Sequence, residues 1–271
     1  MWKRLITAGV LIAMGVGVLV LREVFPPSFD IVVCAAMLLA LCEVSRAMGE
    51  SYPKELRVLL LATALATLPL AVFTPQLSYI FVLLACSLLF ALILTLFCRD
   101  ISAAALGMHA FMLFYPAFLI SMFYLMNDRA DALFLLTASI AVASFSDAFA
   151  FFVGSLVGGP KLAPAVSPKK TISGAAGGLF GGVFGMLAVY YVVREFFMAE
   201  LSYELWQLLI AGVLGAVFTI LGDLSASSLK RKLGVKDFGN LLPGHGGLMD
   251  RVDSMLFNGF FVYVYFAVLL G

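Results

Sequence analysis

Charge is scarce in this chain. Only 12% of its 271 residues are Asp, Glu, Lys or Arg, against about 25% in a typical soluble domain. The chain is 63% hydrophobic, with a mean hydropathy of +1.09. One water-surrounded core cannot hide that much apolar surface, which excludes a large soluble helical protein. The net charge is +1, so no overall field favours nucleic acid, and none is expected as a partner. The four cysteines, Cys34, Cys42, Cys86 and Cys98, lie within or at the edges of apolar runs without metal-ligand spacing. They read as small buried hydrophobes, not as a disulfide framework. Histidine is scarcer still, with only His109 and His245. His245 has neither a cysteine nor a second histidine nearby, so zinc is not expected.

Long apolar runs are what the chain does have. A helix needs roughly 20 apolar residues to cross a bilayer core of about 30 Å, and backbone groups in lipid must bond internally. Nine spans are expected, at 5–21, 29–42, 58–73, 77–97, 101–126, 130–153, 172–193, 203–221 and 255–270. The second is short and the third contains Pro69. The first follows Lys3 and Arg4 like a signal peptide, but no small-residue cleavage site comes after it, so it reads as a retained helix. The fold class is an all-α polytopic integral membrane protein. Residues 1–143 read as a scaffold of N-terminal helices. Residues 144–271 read as a catalytic region with cytoplasmic loops at 154–171 and 222–254.

The Lys and Arg residues set the expected orientation. With the N-terminus inside, the inner segments hold fourteen of them and the outer segments three, namely Arg22, Arg129 and Arg194. The N-terminus is therefore expected in the cytoplasm and the C-terminus outside. Both long loops then face the cytoplasm from the inner membrane. His109, in the fifth span, reads as a polar residue facing the bundle or the lipid edge.

Chemistry gathers after residue 144. Asp147 is a carboxylate within an apolar span, by default a functional-site candidate. The loop 158–170 carries Pro160, Pro164 and Pro168, which keep it from being helical. Ser167, Lys169, Lys170, Thr171 and Ser173 cluster where the next helix begins, with Thr171 or Ser173 able to cap it. Free N–H groups and the helix dipole there favour an anion such as phosphate. Gly174, Gly177, Gly178, Gly181, Gly182 and Gly185 then line one face at three- and four-residue spacing. Such a face serves close helix packing within the fold or in a homodimer.

The longest polar segment, 227–253, holds five of the seventeen Lys and Arg residues. Lys230, Arg231, Lys232 and Lys236 supply cations. Gly244, Gly246 and Gly247 around His245 permit close backbone approach to a ligand. Asp250 and Asp253 follow at i, i+3, with Arg251 between them, and Asp223 lies just upstream at the end of an apolar run. Mg²⁺ is typically held by one or two carboxylates and substrate phosphates. Asp223 and Asp250 are the expected pair, with Asp147 a further candidate. The physics points to a phosphate-bearing substrate at the membrane edge, for which a lipid is natural. An anion transporter is the rival from another class, but only Asp147 lies deep in a span and no inverted repeat is visible.

The residues also carry a resemblance. Ser227-x-Leu229-Lys230-Arg231, then four residues, then Lys236-Asp237-x-Gly239-x-x-Leu242-Pro243-x-His245-Gly246-Gly247-Leu248-x-Asp250-Arg251-Val252-Asp253 resembles the signature of the phosphatidate cytidylyltransferases. Lys161-Leu162-Ala163-Pro164 and Ser167-Pro168-Lys169-Lys170-Thr171 are similar to that family's upstream block. The likeness runs from about residue 144 to the C-terminus. It departs after Asp147, where Phe149 and Phe151 stand in place of a small residue and a Tyr. The resemblance implies transfer of the cytidylyl group of CTP to phosphatidic acid with Mg²⁺ and room for a second cation. It implies that Asp223 and Asp250 hold metal. Ser167, Lys169, Lys170 and Thr171 would meet a phosphate group, and Lys230, Arg231, Lys236 and Arg251 the triphosphate. His245, Gly246 and Gly247 would form the nucleotide loop, with Asp237 and Asp253 orienting. A polyprenol kinase using CTP is the nearest alternative.

Overall fold

Apolar length decides the architecture. The computed structural model describes residues 2–197, 201–241 and 246–270. Nine helices stand among them. They are α1 (Trp2–Val24), α2 (Pro27–Ala47), α3 (Lys54–Phe73), α4 (Leu77–Leu94), α5 (Ala103–Asn127), α6 (Ala132–Val157), α7 (Ile172–Phe196), α8 (Leu205–Lys232) and α9 (Met249–Leu269). Among the described residues, α2 to α9 are each long and apolar enough to cross a membrane. The chain is an all-α polytopic integral membrane protein.

Several helices outrun the apolar stretches that announce them. The second span continues past Cys42 through Glu43 and Arg46 to Ala47. Pro69 sits inside α3 without ending it. In α5 the turn around Pro116, Leu113–Phe118, widens to π geometry, a usual accommodation for a residue without an N–H. The polar segment is not one loop. Within the expected loop 222–254 the chain is helical as far as Lys232 and again from Met249. At 1.5 Å per residue, the 28 residues of α8 span about 42 Å, longer than a bilayer core.

The expected irregular loop at 154–171 is also more ordered than its prolines suggest. α6 runs on to Val157, and β1 (Lys161–Ala163) and β2 (Ser167–Thr171) form an antiparallel hairpin with Lys161 opposite Thr171. Gly158 and Gly159, at φ +64° and +106°, let the chain leave α6 for that hairpin.

The chain divides into two compact bodies. The first comprises Met1–Asp128 with Val235–Arg251, and the second Arg129–Gly234 with Val252–Gly271. The division falls inside α9. In the first body α2 packs on α1, α3 and α5, and α4 on α3. His109 is buried there, its Nδ1 2.7 Å from the Tyr52 hydroxyl and its Nε2 3.3 Å from Ser87 Oγ, so it faces the bundle. In the second body α6, α7 and α8 pack on one another. The glycine face of α7 is taken up here. A Cβ at Gly174 would lie 2.8 Å from the Ala150 carbonyl oxygen of α6, and one at Gly182 would lie 2.6 Å from that of Gly212 in α8.

Candidate functional site

Thr171 fixes where α7 begins. Its Oγ1 accepts the Gly174 N–H at 3.1 Å, a side-chain N-cap. One residue earlier, β2 presents Lys170. Its ammonium is paired with Asp223 Oδ2 of α8. Asp147 of α6 and Asp253 of α9 also lie within its electrostatic reach. Four secondary-structure elements of the second body thus converge on one ammonium. Burial pushes Lys170 below the ordinary lysine range, against the pull of Asp147 and Asp253.

The surroundings extend this cluster. Ser254 Oγ donates to Asp147 Oδ2 at 3.2 Å. Lys230 Nζ lies 3.4 Å from Asp253 Oδ2, both groups being buried. Asp253 Oδ1 accepts the Ser254 N–H at 2.8 Å. Beside Lys170 lies a cavity of about 280 Å³, bordered by Asp147, Gly154, Lys169, Thr171 and Gly174 along with apolar side chains. Phe151, which stands on the departure from the family pattern, also lines it and is exposed. Ser167 starts β2 opposite Ala163, away from the cavity lining. Arg231 is exposed near the end of α8.

The remaining sequence candidates belong to the first body. Asp250 is buried, and its Oδ2 accepts the N–H groups of Phe238 and Gly247, both at 2.9 Å. That carboxylate therefore joins the Phe238 and Gly247 amides. Gly246, at φ +81°, sits against Asp237 and Asp250. Lys236 and Asp237 border an open cavity of about 670 Å³, and Arg251 is exposed on the first turn of α9. His245, with Leu242, Pro243 and Gly244, lies outside the described residues.

Glu43 escaped the sequence reading. Its carboxylate is buried in the first body and accepts the Leu248 N–H at 2.9 Å and the Met249 N–H at 2.8 Å. An acid beside Arg46 at the end of an apolar run looks like a solvated flank. The available signal was Glu43's place within a helical stretch that no turn residue interrupts.

The donor set can be tested against a divalent cation. Among the described residues no three His, Cys, Asp or Glu side chains gather closely enough to form a ready-made metal site. Mg²⁺ usually takes one or two carboxylates and completes its shell with water and substrate phosphate. The Lys170 ammonium already marks a place where carboxylate oxygens receive a positive charge. The second body can thus receive phosphate on Lys170, Lys169 and Lys230, and a hard cation on carboxylates.

Known proteins supply an independent line. A stretch of 139 residues is 37% identical to a protein of Staphylococcus haemolyticus named phosphatidate cytidylyltransferase, covering 51% of each chain. A stretch of 157 residues is 36% identical to a protein of that name from Brucella abortus, covering 58% of this chain and 56% of that one. The chain spans about half the length of the curated relatives it matches. The model of the cytidylyltransferase family matches residues 2–269, nearly the whole sequence. A likeness that extends from the first helix to the last goes beyond a shared signature, and the chain belongs to the cytidylyltransferase family.

Proposed function

We propose that this protein transfers the cytidylyl group of CTP to phosphatidic acid, giving CDP-diacylglycerol and pyrophosphate. The observation that carries the reading is the convergence of Asp147, Lys170, Asp223 and Asp253 in a chain of this family. A phosphate oxygen of phosphatidic acid attacks the α-phosphorus of CTP. The bond from that phosphorus to the bridging oxygen breaks, and pyrophosphate leaves with its electron pair. Little covalent chemistry falls to the protein, so positioning and charge neutralisation do most of the work.

Each side chain then has a task. Lys170 and Lys169 border the cavity and meet a phosphate group, with Thr171 fixing the helix start beside them. Lys230, held by Asp253, adds a buried positive charge against the triphosphate or the departing pyrophosphate. Asp223 and Asp147 would hold Mg²⁺, which when bound offsets phosphate charge and favours the leaving group. The inclusion of Asp250 as a metal ligand, of His245 in the nucleotide loop and of a second cation rests on the sequence pattern. The Lys and Arg bias favours a site on the cytoplasmic side of the membrane.

Purified full-length protein in vesicles containing phosphatidic acid tests the reading. The expected result is CDP-diacylglycerol formed only when CTP and Mg²⁺ are both present. A chain that makes none under any divalent cation would refute it.

A further inference from the structure

Glu43 lies on α2, far in sequence from the glycine turn, yet its carboxylate holds two amides at the end of that turn. The first amides of a helix have no partners within it. At the start of α9, Glu43 Oε1 accepts the Leu248 N–H and Oε2 the Met249 N–H. Both oxygens are engaged, and the residue is 7% exposed. A carboxylate at a helix N-terminus also meets the positive end of the dipole. Two glycines make room for it. A Cβ at Gly239 would lie 2.6 Å from Glu43 Oε1, and one at Gly247 would clash with Oε2. These two signature glycines are therefore explained by Glu43 as well as by any ligand. From the other side Asp250 holds Phe238 and Gly247. The segment is clamped between two carboxylates, one of them supplied by the N-terminal helices. Glu43 also borders the open cavity that Arg46, Lys236 and Asp237 line.

We propose that Glu43 is a positioning residue for the nucleotide, fixing Gly239 and the segment 247–250 so that their backbone and Asp250 are set before CTP arrives. The inference builds on the function proposed above. It assigns the N-terminal helices a part in the reaction beyond scaffolding. Glu43→Gln is the informative variant because it conserves volume. A glutamine offers one acceptor and turns an NH₂ donor toward an amide that is itself a donor. Packing survives that change and the clamp does not.

The experiment compares the full-length protein with Glu43→Gln, Glu43→Asp and Gly239→Ala, and with Glu55→Gln, which borders a different cavity, as the control. Hydrogen exchange over 236–251 reads the clamp without reference to activity. Steady-state kinetics reads KM for CTP and for phosphatidic acid separately. The expected result for Glu43→Gln is exchange at 248 and 249 faster by about tenfold. KM for CTP should rise about tenfold while KM for phosphatidic acid stays unchanged. Gly239→Ala, which pushes on Glu43 from the other side, should give the same CTP-specific change, and Glu43→Asp a smaller one. If Glu43→Gln does not fold, the Asp and Ala variants decide alone. Wild-type exchange with wild-type KM for CTP overturns the inference, as does a fall in kcat with both KM values unchanged. A wild-type protein without turnover would refute the proposed function instead, and the exchange measurement would still decide whether Glu43 holds the turn.

Discussion

Lys170 and Asp223 form an ion pair that joins the hairpin strand β2 to helix α8. Fifty-three positions separate them in sequence, and each is partly shielded, with side-chain exposures of 27% and 25%. The pair ties the upstream block to the C-terminal half of α8.

If the two residues act as a unit, their losses should not multiply. Lys170→Met and Asp223→Asn are each expected to lower turnover by about 10²–10³-fold. The double variant should be little worse than either single one. Initial rates of CDP-diacylglycerol formation at saturating CTP measure this. Fully multiplicative losses would mean that the two residues work separately.

The pH dependence follows from Lys170. Burial lowers its pKa from the ordinary 10.5, so the folded protein loses this proton before the unfolded chain does. Between the two values the unfolded state binds more protons, and the contribution of this group to stability rises with pH. The positive charge of the site falls over the same window. Activity should therefore decline on the alkaline side below the usual lysine range, while stability does not decline with it. Lys170→Arg, whose guanidinium stays charged, should carry the alkaline limb upward, as a pH–rate profile would read. An alkaline limb unmoved by that change would exclude Lys170 as its source.

Helix contact in the second body gives a prediction about stability. Leucine at Gly182 must displace the Gly212 carbonyl and the Ala216 side chain. Gly182→Leu should cost about 2 kcal/mol, read as a lower unfolding midpoint in detergent. The same change at Gly107, where a Cβ meets nothing within 4 Å, should leave the midpoint near that of the wild type.

The spans were legible in the sequence because crossing a membrane requires apolar length, and composition reports length directly. Their ends were less so. Glu43, Lys230 and Lys232 resemble loop residues by polarity, yet all three are helical. Glu43 is paid for by two amides more than two hundred positions away, a partnership that no local pattern announces. The hairpin was hidden for a similar reason. Pro164 and Pro168 argue against regular structure, but proline is tolerated in an edge strand, and only the pairing of Lys161 with Thr171 reveals the strands. Thr171 could be read as a cap because its partner, the Gly174 N–H, lies three residues on. The gathering of Asp147, Lys170, Asp223 and Asp253 is tertiary, and the sequence showed its members without their arrangement.

The most direct measurement follows the phosphorus of CTP. Purified protein is given Mg²⁺, phosphatidic acid in vesicles, and CTP labelled at either the α- or the γ-phosphate. Cytidylyl transfer places the α-label in the lipid fraction and releases the γ-label as pyrophosphate. Appearance of the γ-label in lipid, with none of the α-label, would mean that the protein is a kinase and would contradict the proposed reaction.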